Sequence, residues 1–186
     1  MKNYLIIMAG LPGTGKTTTG RLLAEKLGYE FISQNDIRRE YGMKEMPESQ
    51  PRLQRDVDRR IAKLLGEGKG VVIDAAHRYG GRRHQLYGVA SGLGKDVVVV
   101  EPICSEETAK KRMTERPESD GLLVDAKDPA VYDKVKAGWE PVGDELMDYS
   151  DHVSYVIYDT ENGGVKAKIV GHEAEDFIEE VKMALS

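Results

Sequence analysis

Gly10, Gly13 and Gly15 stand directly before Lys16 and Thr17 in the stretch GLPGTGKTTTG, Gly10 to Gly20. Glycines at that spacing let the backbone curl until successive N–H groups face inward, which makes a nest for an anion at the positive end of a following helix. The full pattern Gly10-x-x-x-x-Gly15-Lys16-Thr17 is a Walker A motif, with an apolar run before it (Tyr4 to Ala9) and a helical pattern after it (Arg21 to Leu27). Its chemistry is to hold a nucleoside triphosphate. Gly10, Leu11, Pro12, Gly13, Thr14, Gly15, Lys16, Thr17 and Thr18 would wrap the phosphates, with Lys16 on the β- and γ-phosphates and the Thr17 hydroxyl on the bridging Mg²⁺. A loop that only bent the chain would have no use for Lys16. ATP and Mg²⁺ are therefore the expected cosubstrate and ion.

Three further groups could act with this loop. Asp74 closes the apolar run Val71-Val72-Ile73, and a carboxylate at the C-terminal end of a buried strand reads as a Walker B acid on the Mg²⁺. In Ile32-Ser33-Gln34-Asn35-Asp36-Ile37-Arg38-Arg39, Asp36 could take a proton from a substrate hydroxyl while Arg38 or Arg39 grips an anionic substrate. The same residues would also suit a plain helix start with a first-turn acid. Arg112 and Arg116 are four apart in a helical pattern, so both would share a face and could stabilise charge on a transferring phosphoryl group.

Stepping outward, these groups need a frame that brings them to one edge. Short β-branched runs alternate with helical patterns: Tyr4 to Ala9, Tyr29 to Ile32, Val71 to Ile73, Val97 to Val100 and Val153 to Tyr158 read as strands. Leu53, Val57, Ile61, Leu64 and Leu65 recur at helical spacing, as do Leu86, Val89, Ala90 and Leu93. Ser105 and Asp128-Pro129 carry helix-start chemistry. The polar segment Arg116 to Lys127 is the expected mobile part of a lid spanning about 105–140, and Asp159 to Gly164 is a turn that would add an antiparallel edge strand in a hairpin at about 153–170. The expected fold is α/β, three layers α/β/α around a central, mostly parallel sheet, with a short helical lid.

With 186 residues the chain suits one domain, 1–186. One cysteine excludes an internal disulfide, and no apolar run reaches spanning length, so a cytoplasmic protein is expected. A formal net charge of −5 argues against non-specific coating of nucleic acid, yet nine arginines fall between Arg38 and Arg83, which fits a local anionic partner.

GLPGTGKTT, NDIRREYG, VVIDAAHRYGGRR and CSEETAKKRMTER, in that order between about Tyr4 and Glu140, resemble the small P-loop kinases of the AAA type grouped with polynucleotide 5′-hydroxyl kinases and, more distantly, zeta toxins. The resemblance implies a nucleotide-kinase-like P-loop fold and transfer of the γ-phosphoryl group of ATP to a hydroxyl. It also implies phosphate contact by Arg116 and substrate contacts from His77, Arg82 and Arg83 in the loop after Asp74. The family's Asp-x-x-Arg has two registers here: Asn35 with Arg38, which supplies no base, or Asp36 with Arg39, which does. The leading expectation is a kinase of an anionic, hydroxyl-bearing acceptor such as a nucleic-acid end or nucleotide. A metabolite kinase and a slowly hydrolysing ATP-binding switch are the alternatives, and Thr160 and Asn162 are weak candidates for a base pocket.

Overall fold

The computed structural model describes residues 3–42, 51–116, 127–143, 146, 151–169, 171 and 174–186. The strands are β1 (Leu5–Met8), β2 (Glu30–Ser33), β3 (Val71–Asp74), β4 (Val97–Ile103), β5 (Val153–Asp159) and β6 (Val165–Ile169). The helices are α1 (Lys16–Leu27), α2 (Gln34–Glu40), α3 (Pro51–Gly66), α4 (Gly80–Ser91), α5 (Glu106–Thr114), α6 (Pro129–Ala137) and α7 (Glu175–Ala184). They build one sheet in the order β2-β3-β1-β4-β5-β6, parallel except for β6, which runs antiparallel to β5.

Alternation along each strand makes the three layers. Leu5 and Ile7 point to one face, where Leu53, Val57, Ile61 and Leu65 of α3 and Leu86 and Tyr87 of α4 cover them. Ile6 and Met8 point to the other, onto Leu23 and Ala24 of α1 and Phe177, Ile178 and Val181 of α7. Because both faces are covered, β1 and β3 are buried along their whole length, β1 as an unbroken apolar run and β3 as one that ends in Asp74. The Tyr4 and Phe177 rings stack at 3.8 Å, clamping α7 to the sheet.

Caps fix where the helices begin. The Ser33 hydroxyl accepts from the Asp36 N–H at 3.3 Å, which turns the end of β2 straight into α2. Ser105 caps α5 through the Thr108 N–H, and Asp128 caps α6 through the Ala130 N–H ahead of Pro129. α5 stops at Thr114, so Arg116 lies beyond the helix that carries Arg112 rather than on its face. Most of the expected mobile lid segment, residues 117–126, lies outside the described residues. Among the described residues no helix is long and apolar enough to cross a membrane.

β1 lies between β3 and β4, so the connections leaving β1 and β3 part in opposite directions. The crevice beyond the carboxyl ends of the strands at such a point is where open α/β sheets bind ligands.

Candidate active site

Gly10, Gly13 and Gly15 take φ of 143°, 79° and 96°, all in the left-handed half that favours glycine. Gly13 has a second reason to lack a side chain: a Cβ there would sit 2.2 Å from the carbonyl oxygen of Ala109 in α5. The loop thus lies flush against α5. The Gly10 N–H donates to Ala76 O at 3.2 Å, the Thr14 hydroxyl to Leu11 O at 2.9 Å and the Lys16 ammonium to Leu11 O at 2.7 Å. Lys16 is folded over the nest it completes.

Across the base of the cleft, the Thr17 hydroxyl donates to an Asp74 carboxylate oxygen at 2.7 Å. Asp74 is 4% exposed; its burial raises the carboxyl above its ordinary value, against the opposing pull of the Thr17 hydrogen bond and the Lys16 charge. Two hard oxygens side by side fit a small divalent ion that keeps part of its water shell and takes its remaining ligands from phosphate.

A cleft of about 750 Å³ opens from this point. On the loop side Pro12, Gly13, Gly15, Lys16, Thr17 and Thr18 line it; Gly10, Leu11 and Thr14 do not, and the Leu11 carbonyl accepts from Thr14 and Lys16 within the loop. Asp74 forms its floor. On the α2 side stand Asn35, Asp36, Arg38 and Arg39, and from the α5 side come Arg112 and Arg116.

Both registers of the Asp-x-x-Arg motif exist as physical pairs. The Arg38 guanidinium donates to Asn35 Oδ1 at 3.0 Å and is 9% exposed. Asp36 is ion-paired with Arg39 at the more exposed rim, with Arg21 at 3.7 Å. Arg38 is the buried arginine of the two, and its partner Asn35 carries no carboxylate.

His77, Arg82 and Arg83 do not line the cleft. His77 turns the chain with φ of 46° and is 3% exposed, its Nδ1 2.7 Å from Met8 O, and burial pushes its pKa down to about 3, so the ring stays neutral. Arg83 is fully buried and donates to His77 O at 2.6 Å and Glu140 O at 2.8 Å, with its guanidinium 5.7 Å from the Trp139 ring. Arg82 grips Asp58 of α3 with two bonds of 2.7 and 3.1 Å. Arg82 and Arg83 tie α4 to its surroundings and His77 ties the preceding loop to β1, so all three are engaged within the fold. The arginine-rich stretch is likewise largely used in packing, since Arg60 pairs with Glu40 and Asp56, and Arg52 covers the Tyr41 ring.

Arg112 is held by Thr160, whose hydroxyl accepts at 2.8 Å and whose carbonyl accepts at 3.0 Å. The Thr160 hydroxyl also lies 3.0 Å from Thr14 O and 3.1 Å from Ile103 O. Next to it, the Glu161 carboxylate accepts from the Ser105 N–H and from the Ser105 and Thr108 hydroxyls at the start of α5. The β5–β6 turn is therefore a brace joining the phosphate loop to α5, while Asn162 is folded back onto Asp159. Arg21, Ser33, Gln34, Val131 and Val135 also line the cleft and were missed in the sequence. Arg21 had a signal: it follows Thr17 by four, one turn along the same helix face.

The chain is similar to a Thermococcus kodakarensis protein provisionally named an adenylate kinase, 45% identical over 73 residues that are 38% of this chain and 40% of that protein. It is also similar to the cytidylate kinase of Methanobrevibacter smithii, 37% identical over 79 residues that are 38% of this chain and 46% of that one. The chain thus spans under half the length of these relatives. Among solved structures, Chaetomium thermophilum Kti12 in complex with ADP-AlF3 superposes with a TM-score of 0.65 at 20% identity, covering 98% of this chain and 99% of that one. A gluconokinase from Sinorhizobium meliloti gives 0.59 at 19% identity, covering 98% and 91%. At such identities these structures share the fold alone. Residues 5–141, which hold the phosphate loop, Asp74, the α2 cluster and both α5-side arginines, match the family model described as AAA domain. With a three-layer P-loop kinase architecture around that loop, the chain belongs to the AAA domain family.

Proposed function

We propose that this protein is an ATP- and Mg²⁺-dependent kinase that passes the γ-phosphoryl group to an anionic acceptor seated against α2. One observation carries the reading: a single cleft holds a triphosphate-type loop at one end and Asn35, Asp36, Arg38 and Arg39 at the other. Donor and acceptor need that continuity, because phosphoryl transfer is achieved mainly by positioning and charge stabilisation.

In this reading the loop amides and Lys16 hold the β- and γ-phosphates. Mg²⁺ bound by Thr17 and Asp74 would neutralise charge building on the phosphate oxygens. Arg112 and Arg116 approach from the α5 side, and segment 105–140 serves as the lid of one kinase domain. If the acceptor is an alcohol, Asp36 is the base that takes its proton. The names of the relatives, adenylate and cytidylate kinase, add weight to a nucleotide acceptor; a phosphorylated metabolite or a nucleic-acid end uses the same arginines.

The test is ATP consumption by the purified protein with Mg²⁺, alone and with panels of nucleosides, nucleotides, phosphorylated sugars and 5′-hydroxyl oligonucleotides. Stimulation by one class, abolished about 10²–10³-fold in Lys16→Met, is the expected result. Slow hydrolysis indifferent to every acceptor would replace the kinase with an ATP-binding switch.

A further inference from the structure

We propose that the oxygen attacking the γ-phosphorus belongs to a phosphate monoester of nucleoside monophosphate type, not to an alcohol. This rests on the kinase reading above and names its acceptor.

The argument is about protons and charge. An alcohol must lose its proton as it attacks, so a site built for one supplies a base within reach. A phosphate monoester has its second pKa near about 6 and is already an oxyanion at neutral pH, so it needs cations instead.

Among the described residues lining the cleft, the side chains able to accept a proton at neutral pH are Asp36 and Asp74. Asp74 is buried on the cleft floor and bonded to Thr17, on the metal side of the reaction. Asp36 is ion-paired with Arg39 and has Arg21 beside it, so its carboxylate is already engaged at the rim. Asn35 lines the same stretch of cleft, but it is an amide that accepts from Arg38 and cannot take a proton. Against these two carboxylates, six cations line the same cleft: Lys16, Arg21, Arg38, Arg39, Arg112 and Arg116. Such an excess suits two phosphate-bearing ligands facing each other, and it exceeds what one triphosphate with a neutral hydroxyl partner requires.

The step balances without a base. An oxyanion lone pair of the acceptor phosphate forms a bond to the γ-phosphorus, while the bond from that phosphorus to the bridging oxygen breaks and leaves its electron pair on ADP. No proton moves, and the product is a phosphoanhydride.

The experiment offers matched pairs with γ-labelled ATP and Mg²⁺: AMP and adenosine, CMP and cytidine, UMP and uridine, ribose 5-phosphate and ribose, and 5′-phosphorylated and 5′-hydroxyl oligonucleotides. The expected result is label on the phosphorylated member of a nucleotide pair, released by hot acid as an anhydride is, and at least about 100-fold less on its nucleoside, the lower bound of what a missing base costs. Acid-stable ester label on a nucleoside, a sugar hydroxyl or a 5′-hydroxyl oligonucleotide overturns the inference and leaves the kinase reading intact. Acid-labile label confined to ribose 5-phosphate or to a phosphorylated oligonucleotide keeps the phosphate nucleophile and overturns the nucleotide assignment. Label on no acceptor overturns the kinase reading itself, and the inference with it.

Asp36→Asn supplies the second arm, read from the pH profile of kcat with the preferred phosphate acceptor because the substitution also releases Arg39. The variant is expected to keep the acidic limb of that profile; loss of the limb together with a fall of about 10²–10⁴-fold assigns the base to Asp36 and overturns the proposal.

Discussion

The Thr17 hydroxyl and the Asp74 carboxylate meet at 2.7 Å across 57 residues of sequence, one opening α1 and the other ending β3. The two oxygens are thereby held together before any ligand arrives. Asp74→Asn keeps the hydrogen bond and removes the charge, so the variant is expected to need about 10–100-fold more Mg²⁺ for half-maximal activity, read from Mg²⁺ titrations at saturating ATP.

The same substitution should not weaken the nucleotide-free fold. Burial raises the Asp74 carboxyl, so the native state holds its proton to higher pH than the unfolded chain does. Stability from this group therefore falls as pH rises through the window between the ordinary and the raised value, and the penalty is complete above it. Urea unfolding at pH 7–8 is expected to find Asp74→Asn at least as stable as the parent; a clear loss would show that the ionised carboxylate stabilises the fold.

Thr160→Val removes a hydroxyl that joins Arg112 to the phosphate loop while keeping side-chain volume. The expected cost is about 0.5–1.5 kcal/mol of stability, with a rise in the KM for ATP that Thr160→Ser largely avoids. Equal behaviour of the two variants in ATP titrations would mean that the hydroxyl has no part in holding Arg112.

Gly13→Ala places a Cβ 2.2 Å from Ala109 O at a φ of 79°. Backbone strain and overpacking together predict a loss of about 2–5 kcal/mol and of ATP binding, measured by denaturant unfolding and by titration with ATP.

Arg83→Met separates packing from substrate contact. Its hydrogen bonds to the His77 and Glu140 carbonyls are worth about 1.5–3 kcal/mol each where the donor is charged and buried, so the midpoint of thermal unfolding should drop sharply. The KM for the acceptor, measured below that midpoint, should change less than about twofold; a large rise would return Arg83 to the binding site.

The sheet was legible in the sequence because the opening residues of β1, β3, β4 and β5 are buried and mostly aliphatic or β-branched, giving short apolar runs. The phosphate loop was legible because its glycines, Lys16 and Thr17 are fixed by local geometry, and the strand before and helix after can be read from the same few residues. His77, Arg82 and Arg83 were expected at the substrate but are absent from the cleft lining, because a polar residue shortly after Asp74 has the same spelling whether it faces a ligand or a neighbouring element. Only the positions of Asp58, Glu140 and Met8 decide the matter, and those lie 24, 57 and 69 residues from their partners. Thr160 was suspected of contacting a base, yet the pattern of one turn could not reveal that it would meet Thr14 and Arg112.

The contact between Thr160 and Thr14 closes a loop of 146 residues. Long-range closures of this kind are late events in chain organisation, because their entropic cost must be met before the contact contributes. A nascent chain emerging from the ribosome would therefore display its complete phosphate-loop sequence well before that loop is braced. Nucleotide grip would then be acquired only after the β5–β6 turn has been made and has docked.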